Sequence, residues 1–172
     1  MSIGVTRIAG QAGAVIDLKA YLAGDLAELS APVLVNNVGW SYGTGANAVN
    51  VIYQDTVTLA DGANDTLDLY ASGAGELLDV FNRALTMEAL KFLYIKNNSA
   101  DASLLVFGGD ATDIGILGGA TEQLTIPPGG HFLWIDPSAA GLDITTNKNL
   151  YLEHDDTGED TMDVDVIAMG LD

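Results

Sequence analysis

The residues of this chain that could do chemistry are few and scattered. Gly39-Trp40-Ser41-Tyr42-Gly43 has the G-x-S-x-G spacing of a nucleophile elbow. That chemistry needs a strand, a strained turn and then a helix, with an acid and a histidine later in the chain. The residues that follow, Thr44, Gly45, Ala46 and Asn47, are a poor helix start, and 24 Asp and Glu guarantee downstream acids by composition alone. We therefore expect the match to be coincidental, with Trp40 and Tyr42 anchoring a loop by packing.

The two histidines, His131 and His154, have no second histidine at ligand spacing, so a catalytic zinc site is not expected. Oxygen ligands for Ca²⁺ could come from Asp155, Asp156, Glu159 and Asp160, or from Asp110 and Asp113. Neither group has the alternating acids and closing Glu of an EF-hand, and a solvated acidic turn is the simpler reading. No Walker loop, no dinucleotide fingerprint after a strand and no basic aromatic stripe is present. The expectation is a non-enzymatic chain without catalytic residues, resident metal or cofactor.

Composition narrows the classes further. The 172 residues fit one domain with an arm, and 48% hydrophobic content can build a core despite a net charge of -18. With no cysteine there is no disulfide and no thiolate site. No signal peptide or transmembrane run is evident, so no membrane partner is expected. Residues 1–54 hold Arg7 and Lys19 against Asp17, Asp25 and Glu28, so nearly all of the negative charge falls in residues 55–172. Such an acidic body repels phosphate backbones, which argues against nucleic acid as a partner. The near-neutral N-terminal third reads instead as an arm that lies on another protein.

Behind these residues stand the elements that must position them. Val15, Leu18, Leu22, Leu26 and Leu29 follow helical spacing, with Gly24 inside the run and Pro32 ending it. This predicts a short amphipathic helix over about 14–29, and Val15, Leu18, Leu22 and Leu26 become interface candidates. A short strand over 33–38 and a Gly/Asn loop over 39–50 complete the arm, residues 1–47. From residue 48 to 172 the chain turns to short segments of alternating hydrophobicity. Residues 49–53, 56–60, 66–70, 90–96, 103–107, 124–126, 131–135, 149–153 and 161–169 read as nine strands, and 76–84 as two helical turns or an irregular loop. Such spacing predicts an antiparallel sandwich or barrel.

Two hairpins are expected within it. One joins 56–60 to 66–70, with Val57, Leu59, Leu67 and Leu69 inside. The other turns at Pro127-Pro128-Gly129-Gly130, where Pro128 suits the first and Gly129 the second central position of a type II turn. Its register would set Ile126 opposite His131 and Thr125 opposite Phe132. Leu124, Ile126, Leu133 and Ile135 would then face the core. Phe132 and Trp134 would form a second apolar face in need of a cover, and so join Trp40 and Tyr42 as interface candidates. The remaining core candidates are Leu93, Ile95, Leu105, Leu150, Leu152, Val164 and Val166.

From Trp40 onward the chain also resembles small virion proteins of tailed bacteriophages. The likeness is carried by an ordered series of short blocks over about 130 residues: residues 43–47, 55–60, 67–69 and 79–81, then Leu85-Thr86, Lys91 and 94–97, then Gly108-Gly109, 127–130 with Phe132-Leu133, and 165–167 with Gly170. It does not cover residues 1–35. The resemblance implies a jelly-roll-like β-sandwich in the virion, assembled in the host cytoplasm. Its role would be capsid decoration or cement that binds the major capsid protein from outside. The family supplies no catalytic residues. A homo-oligomer such as a trimer would cover the second apolar face. The alternative is a receptor- or glycan-binding module of a head or tail fibre or spike, with Trp40, Tyr42 and Trp134 stacking on sugars.

Overall fold

The computed structural model describes residues 9–12, 19–21 and 28–30 by their backbone, and residues 38–70, 77–108, 111–119, 122–155 and 161–172 in full. All its regular elements are strands: β1 (Ala9–Ala12), β2 (Lys19–Tyr21), β3 (Glu28–Ser30), β4 (Val38–Tyr42), β5 (Ala48–Val49), β6 (Val51–Ala60) and β7 (Asn64–Asp68). They continue as β8 (Ala89–Asn97), β9 (Leu104–Val106), β10 (Leu124–Ile126), β11 (His131–Ile135), β12 (Leu142–Asp143), β13 (Asn149–His154) and β14 (Thr161–Leu171).

Two antiparallel sheets make the body. One has the order β11-β8-β14-β6, with β12 continuing the β11 edge of β8, and the other the order β10-β9-β13-β7. The ladders nest: β6 pairs β14, β7 pairs β13, β8 pairs β11 and β9 pairs β10. The chain is thus one long hairpin folded over so that its successive pairs alternate between the layers. Neither sheet closes into a barrel. Between them lies the main core, in which Leu59, Leu67, Leu93, Ile95, Val106, Leu150, Leu152, Val164 and Val166 are all buried. These positions follow the period-two alternation that a strand imposes on its side chains. The body is therefore an all-β, antiparallel sandwich.

Both expected hairpins are corrected. The turn after β6 is present, yet β6 and β7 belong to different sheets, so it carries the chain from one layer to the other. Residues 127–130 do form the anticipated turn: Gly130 N–H donates to Pro127 O at 2.9 Å and Gly129 has φ +68°. But β10 pairs β9 while β11 pairs β8, so this turn too is an inter-sheet corner. Asn97 pins it, since its buried amide donates to Ala102 O, Ile126 O and Pro127 O. Consequently Phe132 and Trp134 stand opposite Ile95 and Leu93 and pack on the main core, while Leu133 and Ile135 face outward. Leu105 also points out, because β9 turns Leu104 and Val106 inward.

The helix expected over 14–29 is corrected where the chain is described. Lys19–Tyr21 and Glu28–Ser30 are the antiparallel pair β2 and β3. Gly24, inside the expected helix, already disfavours one by its backbone freedom. The remainder of that span, with Val15, Leu18, Leu22 and Leu26, lies outside the described residues. Residues 76–84 are an irregular loop from Leu77 onward, with residue 76 outside the description.

Candidate interaction surface

The outward face of the five-stranded sheet is built in rows across its strands. Ile52, Met169, Phe92 and Ile135 align in one row, and Gln54, Ile167, Tyr94 and Leu133 in the next. The third row is Thr56, Asp165, Lys96 and His131, followed by Thr58 beside Asp163. Half of this face is therefore apolar and half is hydrogen-bonded acid. Thr56 donates to Asp165 at 2.8 Å and Thr58 to Asp163 at 2.6 Å. Hydrogen bonds from Asn98 and Thr56 hold the Asp165 carboxyl below its ordinary range, helped by the nearby charge of Lys96.

A three-stranded sheet, β1-β4-β5, contributes to the apolar half. Trp40 of β4 and Val49 of β5 join Phe92 in a second buried cluster, against which Ile52, Tyr94, Leu133, Ile135, Ile167 and Met169 are half-buried. The indole N–H of Trp40 is buried without a hydrogen-bond partner. A bulge in β8 completes the arrangement. Met169 pairs Phe92 and Gly170 pairs Leu90, which leaves Lys91 as the extra residue. Such a bulge re-aims a side chain. The Lys91 ammonium donates to Gly45 O and Ala48 O at 2.9 Å each and sits 5.8 Å from the Trp40 ring centre. Burial lowers its pKa, with Asp136 pulling the other way. Gly170 is required beside it, because a Cβ there would run into Ala89 O.

Next to the apolar rows stands a knuckle, residues 77–85. Leu85 N–H donates to Leu77 O and Asp79 N–H to Arg83 O, both at 2.8 Å, and Asn82 takes φ +61°. Buried Asp79 organises the loop: its Oδ1 accepts from the Phe81 and Arg83 N–H groups at 2.9 Å, and its Oδ2 from Arg83 Nε at 2.7 Å. Burial alone would raise its pKa, but these hydrogen bonds and the Arg83 charge outweigh it and the net shift is downward. Val80 N–H donates to Ile52 O, which fixes the knuckle to the edge of β6. What the loop presents to water is Leu78, Val80 and Phe81, 48%, 44% and 46% exposed. The Asp79 network thus holds three large apolar groups in solvent, which makes the knuckle a candidate contact surface.

Among the residues singled out from sequence, Trp40 is buried at 4% exposure, Tyr42 is exposed at 46%, and Phe132 and Trp134 are half-buried on the main core. Ser41 lies within β4, and its Oγ is 3.5 Å from Asn47 O. No helix follows it among the described residues, and His131 stacks near Tyr94 while buried His154 lies 3.8 Å from Asp61. Asp113 is buried beside Asn149. Asp110, Asp156, Glu159 and Asp160 lie outside the described residues, and Asp155 is half-buried. Among the described residues no three His, Cys, Asp or Glu come together as metal ligands, and no helix is long and apolar enough to cross a membrane. The knuckle was missed from sequence, although its apolar residues interleaved with Asp79 and Arg83 were visible there. No protein-family model matches this chain. No curated protein matches it either.

Proposed function

We propose that the chain is a non-enzymatic structural protein of a tailed-bacteriophage virion, a decoration protein that binds the capsid exterior as a homo-oligomer, with a trimer the expected form. The observation that carries this reading is the knuckle of Leu78, Val80 and Phe81 beside the apolar rows of the five-stranded sheet. The nested strand pairing supports naming the sandwich a jelly roll, in which two Greek keys wrap into two four-stranded layers. The resemblance of the ordered sequence blocks supports the virion setting. In this reading many copies each bridge neighbouring capsomers, and modest individual contacts add up across the shell. Closed rotational symmetry hides one patch per copy and leaves the acidic surface outward. Mutual repulsion of such acidic copies then weakens as salt rises, so assembly tightens with ionic strength. Immunogold labelling of purified virions with an antiserum to this chain tests the proposal. Gold on the heads is expected; label confined to tails, or none, overturns it.

A further inference from the structure

A second feature lies beside β12, where Leu142 and Asp143 pair Leu90 and Ala89 of β8. Between the loop 115–119 and the segment 142–147 opens a cleft of about 300 Å³, lined by Gly115, Gly118, Gly119, Leu142, Asp143, Thr146 and Asn147. This is the small end of the roughly 300–1,000 Å³ range of ligand sites. Both walls are anchored. Ile114, just before the first wall, is fully buried and its N–H donates to Asn149 O at 2.9 Å. Ile144, inside the second, is also fully buried and its N–H donates to Glu88 O at 2.9 Å. A main-chain hydrogen bond thus ties each wall to the body of the sandwich.

Its chemistry selects the ligand. Asp143 Oδ1 accepts from the Thr145 N–H at 2.9 Å and hydroxyl at 2.7 Å, which orients the carboxylate and leaves Oδ2 to accept from elsewhere. Asn147 and Thr146 make no side-chain hydrogen bond among the described residues, so an amide and a hydroxyl stand ready in the same cleft. Leu142 supplies an apolar wall, and Gly115, Gly118 and Gly119, with the Gly118 N–H donating to Gly115 O, keep the opposite wall free of side chains. An anion is disfavoured by Asp143, by the Glu122 carboxylate lying against Gly119, and by the net charge of -18. A divalent cation would find Asp143 already half engaged by Thr145, and Asp143 with Glu122 makes no group of three metal-ligating side chains among the described residues. Adjacent hydroxyls on a ring with one C–H face fit all the groups: carboxylate as acceptor, amide as donor and acceptor, leucine against the C–H face.

We infer that this cleft is a binding subsite for one neutral sugar ring of a glycan. The inference does not rest on the virion reading. Titrating the full ¹⁵N-labelled chain with methyl glycosides of glucose, galactose, mannose and N-acetylglucosamine tests it. At least one sugar should give saturable shifts confined to Gly115, Gly118, Gly119 and Asn147, with a Kd on the order of 1 mM. Asn147→Ala and Asp143→Asn should each weaken it by about tenfold or more while leaving the thermal midpoint in place. No saturable shift with any of the four, shifts indifferent to Asn147→Ala, or saturation by CaCl₂ or inorganic phosphate in their stead overturns the inference.

Discussion

The two sheets turn very different faces outward. On the four-stranded sheet the exposed side is Thr66, Asp68, Asn149, Tyr151, Glu153 and Thr125, with Leu105 its one aliphatic member. Its polar groups satisfy one another: Tyr151 donates to Glu153 at 2.6 Å, which pushes the phenol up to about 12, and Lys148 pairs with Asp68 at 2.6 Å. That face is finished when the chain folds. On the five-stranded sheet two apolar rows are half-buried under Trp40 and Val49 of the small sheet, and an adjoining knuckle leaves Leu78, Val80 and Phe81 exposed. Water contact with groups of that kind is unfavourable by about 25 cal/mol per Å². An antiparallel sheet ordinarily keeps one face wet. The five-stranded sheet departs from that rule because Trp40 and Val49 of the chain's own small sheet cover its apolar rows, and the knuckle left exposed beside them is where the proposed partner would sit.

Matched substitutions on the two faces should separate these roles. The largest effect is expected at Trp40: replacing it with Ala should lower stability in urea unfolding by about 3–5 kcal/mol, by emptying the cluster it shares with Phe92 and Val49. Tyr151→Ala on the other sheet should cost less, because that side chain is only half-buried. Next comes Lys91→Ala, which strands Gly45 O and Ala48 O without their donor and should cost about 2–4 kcal/mol. Lys148→Ala, which removes a partly exposed ion pair, should cost about 0–1 kcal/mol in the same assay. Equal losses at the two lysines would erase the distinction drawn here.

Acid offers a finer probe. Asp79 in the knuckle and Asp165 in the polar rows both have pKa values lowered by folding. Their contribution is therefore complete above the ordinary carboxylate pKa of about 3.9, and it is lost as pH falls through the lower folded values. Hydrogen exchange at the Phe81 and Arg83 amides, whose protons Asp79 accepts, should accelerate relative to the core strands below about pH 4. An Asp79→Asn variant should show that loosening already at neutral pH. The smallest effect is expected from Thr58→Val, about 1 kcal/mol or less, since Asp163 stays solvated when its exposed hydroxyl partner is removed.

How much of this was legible in the sequence follows from what is local. Alternation along single segments identified the inward residues Val57, Leu59, Leu67, Leu69, Val164 and Val166, and Pro128-Gly129 identified its turn. Pairing is not local. The turns at 61–63 and 127–130 look like hairpin turns, because a turn's own residues do not reveal whether the next strand stays in the sheet or changes layer. At β11 the consequence was a swap: five apolar-rich residues fit either face, and the partner strand β8 decided that Phe132 and Trp134 point in. The bulge at Lys91 was hidden for the same reason, since it exists only in the offset between β8 and β14. The knuckle depends on Asp79 closing back on residues two and four positions later, a pattern with no periodicity to detect.

Self-association through the unfinished face is the central claim, and the mass of the purified protein in solution tests it most directly. Light scattering coupled to size exclusion should give about three times 17.9 kDa for the native chain, more completely at higher salt. Phe81→Ser, exposed and outside the core, should shift that mass toward 17.9 kDa while the far-UV circular dichroism of the folded chain stays unchanged. A native chain that elutes at 17.9 kDa at every salt and protein concentration would contradict the account.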